Sequence, residues 1–204
     1  MPTKEELASL ICQKAGGALR FMVGIVGPPG AGKSTIAEAL REALVAQGES
    51  AIVVPMDGFH FDDAVLNARG HRPRKGAPFT FDVLGFEVLL KRIKAREPDI
   101  AIPVFDRSME LSRAGADIVT DEAKFILVEG NYLLLKSAPW DRLKPLFDFT
   151  IFIEVPEAEL ESRLMGRILA HGHDAAYAKN WIASNDMLNI REVQSNSAKA
   201  DVVI

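Results

Sequence analysis

The sequence contains a single cysteine, Cys12, and has no long hydrophobic run. One cysteine excludes an internal disulfide and a cysteine-rich metal site, and it is consistent with a reducing compartment. The longest apolar runs, such as Phe125–Val128 and Tyr132–Leu135, are far too short to span a bilayer. The N-terminal segment carries acidic residues and lacks the apolar stretch of a signal peptide. We therefore expect a cytoplasmic protein with no membrane partner.

An excess of positive charge is also missing, because 24 Lys and Arg residues stand against 28 Asp and Glu residues, which gives a net charge of −4. No global field then favours DNA, RNA or an anionic membrane, and any anion must be held by a local site. No internal repeat or long linker divides the 204 residues, so we expect one domain spanning residues 1–204. The sequence does not determine the oligomeric state, and a homodimer stays open.

Apolar, β-branched segments alternate with segments of helical periodicity along most of the chain. Such alternation predicts an α/β fold with a mostly parallel sheet covered by helices on both faces. Ligands of these sheets gather at the carboxyl ends of the strands. Two weaker strand candidates, Ile100–Phe105 and Asp117–Val119, suggest an additional antiparallel pair. The strong strand predictions are Arg20–Val26, Ala51–Pro55, Lys124–Glu129 and Phe147–Val155.

The segment from Gly27 to Ser34 matches the pattern G-x-x-x-x-G-K-[ST] between a predicted strand and a predicted helix. Its glycines let backbone N–H groups converge on phosphate oxygens, and the following helix N-terminus adds partial positive charge. Lys33 is predicted to reach the β- and γ-phosphates of ATP, and the Ser34 hydroxyl is predicted to ligate Mg²⁺. The predicted nucleotide-binding residues are Gly27, Gly30, Ala31, Gly32, Lys33, Ser34 and Thr35.

A phosphate loop alone does not distinguish a kinase from a GTPase, a motor ATPase or a regulatory switch. A GTPase should carry an N-K-x-D motif that reads guanine, and the sequence has none. The choice among the remaining classes depends on residues elsewhere in the cleft.

Several further motifs resemble the family of uridine kinase, phosphoribulokinase and pantothenate kinase, and in particular its branch of fructose transport-system kinases or nucleoside-kinase-like proteins. The likeness spans about residues 20–204, and it is more specific for the family than for the substrate. The resemblance implies a three-layer P-loop fold with a mostly parallel five-stranded sheet, of expected order 2-3-1-4-5, and a helical lid. The motifs are Asp57-Gly58-Phe59-His60, Arg69-Gly70, Lys75-Gly76-Ala77-Pro78, Thr80-Phe81-Asp82, Pro103-Val104-Phe105-Asp106-Arg107 and Val128-Glu129-Gly130-Asn131-Tyr132.

Asp57 directly follows the second predicted strand and is our candidate for the general base. A hydroxyl is a poor nucleophile, and a carboxylate within hydrogen-bond reach can take its proton as the phosphoryl group arrives. The residues alone equally allow a turn or N-cap aspartate that serves the helix predicted near residue 61. The resemblance favours the base.

Other polar residues near strand ends are candidates for the metal and the acceptor. Glu129 ends the most apolar strand, and the resemblance implies that it holds Mg²⁺ directly or through water. The alternative is an acidic residue that only faces solvent where the strand ends. Asp106 and Arg107 are candidates for substrate contact, with Asp106 as the reserve base and a surface ion pair as the alternative. His60 is equally compatible with a structural role. The basic residues of one loop, Arg72, Arg74 and Lys75, either bind an acidic substrate or a phosphate or are solvated.

Arg163 and Arg167 lie at i and i+4 in a predicted helix, so they share one face. Like charges at this spacing repel, which favours a polyanion opposite them. In the resembling kinases a lid helix, here about residues 160–180, supplies such arginines to the transferring phosphoryl group. The alternative is that Arg163 forms an ordinary pair with Glu159 and that Arg167 is solvated. Asn185, Asp186 and Asn189 recur in the resembling branch, but their chemistry is not assigned.

These observations predict a kinase that uses ATP and Mg²⁺ to phosphorylate a hydroxyl group of a small metabolite. A sugar such as fructose is favoured by the resemblance, with a nucleoside or a pantothenate-like alcohol next. A regulatory P-loop ATPase is the remaining alternative. The sequence does not identify the acceptor.

Overall fold

The computed structural model describes residues 2–204 as a parallel sheet between two layers of helices, with a small hairpin at one side. The strands are β1 (Phe21–Val26), β2 (Ala51–Pro55), β3 (Ile100–Asp106), β4 (Leu111–Val119), β5 (Phe125–Gly130), β6 (Phe149–Phe152) and β7 (Val202–Val203). The α-helices are α1 (Lys4–Ala15), α2 (Lys33–Ala46), α3 (Asp63–Ala68), α4 (Val83–Lys94), α5 (Glu157–Ala170), α6 (Ala175–Trp181) and α7 (Met187–Asn196).

The main sheet has the order β2-β5-β1-β6-β7, and its strands are parallel. Counted along the chain without the hairpin strands, this is the expected order 2-3-1-4-5. The α/β fold predicted from the sequence is therefore confirmed. The two weak strand candidates also form the expected antiparallel pair, β3 and β4, which makes a separate two-stranded sheet.

Side chains of the central strands alternate between two hydrophobic cores, one on each face of the sheet. In β1, Val23 and Ile25 pack on the face covered by α1, α2 and α5, whereas Met22 and Val26 pack on the face covered by α4. Because both faces are buried, the central strands β1 and β5 read as continuous apolar runs rather than as an alternating pattern. None of the helices in residues 2–204 is both long and apolar enough to cross a membrane.

The second half of the chain departs from its expected helix pattern at one point. The sequence pattern predicts a single helix from about residue 174 to residue 194, whereas the structure has two helices, α6 and α7, joined by a π-helical turn, Ile182–Asp186. A π turn inserts one extra residue into a helix and rotates the following side chains. This insertion decides which side chains of the segment face the cleft described below.

Candidate active site

The loop between β1 and α2 is shaped to hold phosphate. Gly30 and Gly32 have φ angles of 83° and 87°, a region that favours glycine, and Gly32 is the N-cap of α2. A Cβ atom on Gly27 would lie 3.1 Å from the carbonyl oxygen of Ile153. These constraints turn successive backbone N–H groups toward one concave surface at the start of α2, which makes an anion-binding nest.

Lys33, the first residue of α2, folds back over this loop. Its Nζ donates a hydrogen bond of 3.1 Å to the carbonyl oxygen of Pro28. Burial lowers the pKa of Lys33, and the negative charges of Glu129 and Asp57 partly oppose that effect. A cation therefore lies beside the nest, where a nucleotide would carry its outer phosphates.

Glu129 lies next to the loop because of the strand order. Strand β5 runs between β1 and β2, so Glu129 has Ile25 and Pro55 as its register partners. The Ser34 hydroxyl donates a hydrogen bond of 3.0 Å to Glu129 Oε1. Glu129 is only 6% exposed, and burial, followed by the negative charge of Asp57, raises its pKa.

The oxygen ligands that Ser34 and Glu129 offer beside the phosphate loop fit Mg²⁺. A hydroxyl and a carboxylate in contact offer two hard oxygen ligands, and a cation between them would offset the desolvated charge of Glu129. Within residues 2–204 no cluster of three or more His, Cys, Asp or Glu side chains could hold a metal alone. Kinase sites hold Mg²⁺ through one or two protein ligands, while phosphate and water complete the shell.

Asp57 lies in a 3₁₀ turn, Met56–Phe59, directly after β2. Its Oδ2 accepts a hydrogen bond of 2.8 Å from Arg107 Nη2, and its side chain is 25% exposed toward the cleft. It does not cap the helix that follows, since the cap of α3 is Asp62, whose side chain accepts from the Ala64 N–H. Of the two alternatives for Asp57, the N-cap is therefore wrong, whereas the residue does lie in a turn.

Gly58 allows this turn to pack directly against the hairpin. A Cβ atom at Gly58 would lie 2.3 Å from the carbonyl oxygen of Pro103 in β3, which no larger residue could tolerate without displacement. The close approach brings the end of the hairpin, and with it Arg107, over Asp57. In the motif Asp57-Gly58, the candidate base is thus followed by a glycine whose position leaves no room for a side chain without displacement.

Asp106, the second candidate for the base, is held by contacts within the hairpin. Its Oδ1 accepts from the Ser108 hydroxyl at 2.6 Å and from the Ser108 and Met109 N–H groups at 3.0 and 3.3 Å. Its Oδ2 pairs with Arg113 at 3.2 Å. The hydrogen bond from the Ser108 hydroxyl contributes most to lowering the Asp106 pKa. Asp106 lies at the end of β3, next to the β3–β4 turn, and is not part of the cleft lining. Its pairing with Arg113 is the ion pair that the sequence offered as the alternative to substrate contact.

Two cations of the basic loop between α3 and α4 are already paired with carboxylates within the protein. Arg72 Nε lies 2.6 Å from Asp63 Oδ2, and Lys75 Nζ lies 2.8 Å from Asp63 Oδ1. Lys75 also lies 3.5 Å from a carboxylate oxygen of Glu110, and its side chain is 8% exposed. Both cations line the cleft, and both are paired with a carboxylate in the protein.

His60 lines the cleft from a mainly structural position. Its ring lies 3.9 Å from the Phe81 ring and 5.0 Å from the Phe105 ring, measured between centroids. Its Nδ1 lies 2.9 Å from the carbonyl oxygen of Asp57. Burial lowers the His60 pKa, which favours the neutral ring. His60 thus supports the turn that carries Asp57, as its structural alternative proposed.

The two arginines predicted to belong to a lid differ in their contacts, although they lie on the same face of α5. Arg163 donates to the carbonyl oxygen of Gly30 at 3.2 Å and pairs with Glu159 at 2.5 Å, so the predicted alternative pair does form. Arg167 lines the cleft, and no carboxylate of residues 2–204 lies within 4 Å of its guanidinium. Its pKa is lowered by desolvation and then by the charge of Arg107. Arg163 is anchored to the phosphate loop, whereas Arg167 keeps its charge available.

Two asparagines that the sequence singled out without a role hold the basic loop in place. Arg74 donates to Asn185 Oδ1 at 2.9 Å and to Asn189 Oδ1 at 3.2 Å, and Asn185 donates to the Lys75 carbonyl oxygen at 2.8 Å. Their i, i+4 spacing was the available signal, but only the tertiary structure identifies the partner. The Tyr132 hydroxyl, which sequence reasoning missed, donates to the carbonyl oxygen of Gly76 at 2.5 Å.

Together these residues enclose one cleft of about 790 Å³ at the carboxyl ends of the central strands. This volume lies within the range of pockets that hold small molecules and cofactors. Among the predicted site residues, the cleft lining includes Gly30, Gly32, Lys33, Ser34, Thr35, Asp57, His60, Arg72, Lys75, Arg107, Glu129, Arg163 and Arg167.

Comparisons with known proteins agree with this site. The chain is 37% identical over 188 residues to the uncharacterized protein YggC of Escherichia coli, covering 91% of this chain and 77% of that protein. It is 31% identical to a "putative uridine kinase" of Schizosaccharomyces pombe, covering 91% and 83% of the two chains. The crystal structure of a "putative fructose transport system kinase" from Silicibacter sp. TM1040 matches with a TM-score of 0.95 and 39% identity, over 100% of both chains.

Two further matches are partial. Bacterial pantothenate kinases are 30–32% identical, and the chain spans about half of their length, 49% and 48% in two examples. The family model of the methylmalonyl Co-A mutase-associated GTPase MeaB matches residues 2–60, a segment that contains the phosphate loop. The matches that extend beyond this segment to named activities are to kinases.

Proposed function

Because the chain belongs to the family of uridine kinase-like and pantothenate kinase-like P-loop kinases, we propose that it transfers the γ-phosphate of ATP to a hydroxyl group of a small metabolite. The observation that carries this proposal is the contact between Ser34 and Glu129 beside the phosphate loop, with Asp57 in the same cleft. A nest for the phosphates, a pair of oxygen ligands for the metal and a carboxylate that faces the acceptor are three parts used in phosphoryl transfer.

Ser34 and Glu129 would hold Mg²⁺, which when bound supplies positive charge to the outer phosphates. Lys33 lies next to these two residues and is positioned to contact the β- and γ-phosphates once it leaves the Pro28 carbonyl. Arg167, which lacks a carboxylate partner among residues 2–204, would offset the charge that spreads over the transferring group. Arg163 would keep the Gly30 end of the loop in place.

Asp57 would take the proton of the attacking hydroxyl. Its Oδ2 is fixed by Arg107, while Oδ1 has no hydrogen-bond partner among residues 2–204 and is available to the acceptor. Orientation of this kind matters because a general base must lie within hydrogen-bond reach of the proton it removes. Arg107 is thereby assigned to positioning Asp57.

The residues that separate the reaction from water lie in α5 and α6, which we assign as the lid of a single kinase domain. Both helices contribute to the cleft wall, through Arg163, Arg167 and Ile168 of α5 and through Tyr177 and Trp181 of α6. Closure of these helices over bound ATP would exclude water that could otherwise accept the phosphate.

A sugar is our first choice of acceptor, since the structure with 39% identity over its full length is described as a "putative fructose transport system kinase". A nucleoside or a pantothenate-like alcohol is second, from the named relatives. We place the reaction in the cytoplasm, where ATP and such metabolites are available, with neither nucleic acid nor membrane as a partner.

Incubation of the protein with Mg·ATP and a panel of sugars, nucleosides and pantothenate tests this function. We expect ADP release that depends on one class of acceptor, with an equal amount of phosphorylated product detected by mass spectrometry. ADP release that no small molecule stimulates, but that a protein partner does, would identify a P-loop ATPase switch and contradict the kinase proposal.

A further inference from the structure

The π turn between α6 and α7 separates two neighbouring side chains that the sequence left unassigned. Asn185 is 1% exposed and is used inside the protein, where it holds Arg74 and the carbonyl oxygen of Lys75. Asp186, the next residue, lines the cleft together with Tyr177 and Trp181 of α6. In an uninterrupted helix residue 185 would follow Tyr177 and Trp181 at spacings of four, and the extra residue of the π turn brings Asp186 near that position instead.

Asp186 is a buried carboxylate without a partner. It is 7% exposed, and its Oδ2 is fully enclosed without a hydrogen bond. Within residues 2–204 no hydrogen bond or ion pair reaches its other oxygen either. Burial raises the pKa of Asp186 to about 6, and the charge of Arg167 opposes that rise. A buried carboxylate without hydrogen bonds destabilises the fold, and native proteins keep few such groups. We therefore expect a ligand to complete the hydrogen bonds of Asp186.

The charges around Asp186 indicate what that ligand is. Among the arginines and lysines of the cleft wall, Arg72 and Lys75 are paired with Asp63, and Arg107 is paired with Asp57. The two cations without carboxylate partners, Lys33 and Arg167, are those that the proposed function uses for the phosphates. The cleft thus offers the acceptor a carboxylate that is free to accept hydrogen bonds, while Arg167, the cation whose charge acts on Asp186, is assigned to the phosphates.

Asp186 and Asp57 line the same cleft. The charges of both reach Tyr132, whose pKa is raised by burial, then by the charge of Asp57, and also by the charge of Asp186. Both carboxylates and the Gly76 backbone, which the Tyr132 hydroxyl holds, line the same cleft. A small molecule that places one hydroxyl at Asp57 can therefore place another polar group at Asp186.

We propose that Asp186 is a specificity-determining residue that accepts a hydrogen bond from a second hydroxyl group of the acceptor, so that the substrate class is a neutral polyol, a sugar or the sugar of a nucleoside. This inference rests on the proposed kinase function and deepens it. A hydroxy acid would bring a third carboxylate into the cleft with Asp57 and Asp186, and the cations there are paired with carboxylates or assigned to the phosphates, so its charge would be repelled. Pantothenate and D-glycerate are therefore predicted to be poor acceptors.

The test compares wild-type protein with Asp186→Leu, which keeps a similar volume and removes the accepting oxygens, and Asp186→Asn. Fructose, ribose and uridine serve as neutral acceptors, and pantothenate and D-glycerate as acidic ones. For the best neutral acceptor we expect Asp186→Leu to raise KM by about tenfold or more. We expect kcat and the KM for ATP to change by less than about threefold, with Asp186→Asn in between. Glu161→Gln, which alters an exposed carboxylate of α5 outside the cleft lining, should match wild type.

Thermal unfolding supplies a readout that a merely structural residue would not give. Since Asp186 is buried without a partner, Asp186→Leu should raise Tm by a few degrees while it weakens acceptor binding. A lower Tm would indicate a structural role. A fall in kcat without a change in acceptor KM would indicate that Asp186 positions Arg167. An unchanged KM for the acceptor would also overturn the inference. Turnover with pantothenate or D-glycerate alone would overturn the inference as well, but it would leave the kinase function standing. A panel without any turnover would overturn both.

Discussion

Asp57→Asn is expected to lower kcat by about a hundredfold or more, while the affinity for Mg·ATP stays close to that of wild type. The substitution keeps the shape of the side chain and can still accept from Arg107, which holds Oδ2 at 2.8 Å. It removes the ability to take a proton from the acceptor hydroxyl. Steady-state kinetics at saturating acceptor, with nucleotide binding followed by calorimetry, separates the two effects.

Asp106→Asn provides the comparison for this variant, because Asp106 was the competing candidate. An amide at this position can still accept from Ser108 and Met109 and so keeps the β3–β4 turn closed. We expect kcat to fall by less than about threefold. Turnover that survives in Asp57→Asn and disappears in Asp106→Asn would exchange the two roles.

Arg167→Ala is expected to lower kcat by about a thousandfold, in the range reported for arginines that stabilise phosphoryl transfer. The reason is that Arg167 forms no ion pair with a carboxylate of residues 2–204. The other arginines of the cleft lining are paired with Asp63, Asp57 or Glu159. Its charge is thus not neutralised before a phosphate arrives. Rapid-quench measurement of a single turnover reports this effect on the chemical step.

Arg163→Ala is the matched control, one helical turn away on the same face. Because Arg163 is paired with Glu159 and bound to the Gly30 carbonyl, its loss should act mainly on nucleotide affinity, with kcat reduced by about tenfold. Arg167→Lys should recover part of the lost rate, since it keeps the charge without the planar guanidinium. Equal losses in Arg163→Ala and Arg167→Ala would mean that the difference in pairing has no functional meaning.

The fold and the nucleotide side of the cleft were predictable because the information is local. Strand β1, the glycine-rich loop and α2 follow one another directly, and the alternation of apolar and amphipathic segments predicts the parallel sheet. The contact of Ser34 with Glu129 joins residues 95 positions apart, and it depends on β5 lying between β1 and β2. That order came from the family resemblance rather than from periodicity.

The acceptor side was less predictable, since adjacent residues there have opposite roles. Asp106 and Arg107 are neighbours at the end of a strand, where successive side chains point to opposite sides, and only the packing of the hairpin on Gly58 determines which one reaches Asp57. The pairing of Lys75 with Asp63 is likewise tertiary. The π turn before Asp186 adds a single residue, which a pattern of 3.6 residues per turn does not reveal.

A crystal structure with Mn²⁺ and a nonhydrolysable ATP analogue tests the central claim most directly, because anomalous scattering locates the metal and Mn²⁺ accepts the same oxygen ligands as Mg²⁺. We predict the metal within coordination distance of Ser34 Oγ, with Glu129 beside it directly or through water. The γ-phosphate should lie between Lys33 and the open face of Asp57. A nucleotide bound away from the Gly27–Ser34 loop, or a γ-phosphate directed away from Asp57, would contradict the account.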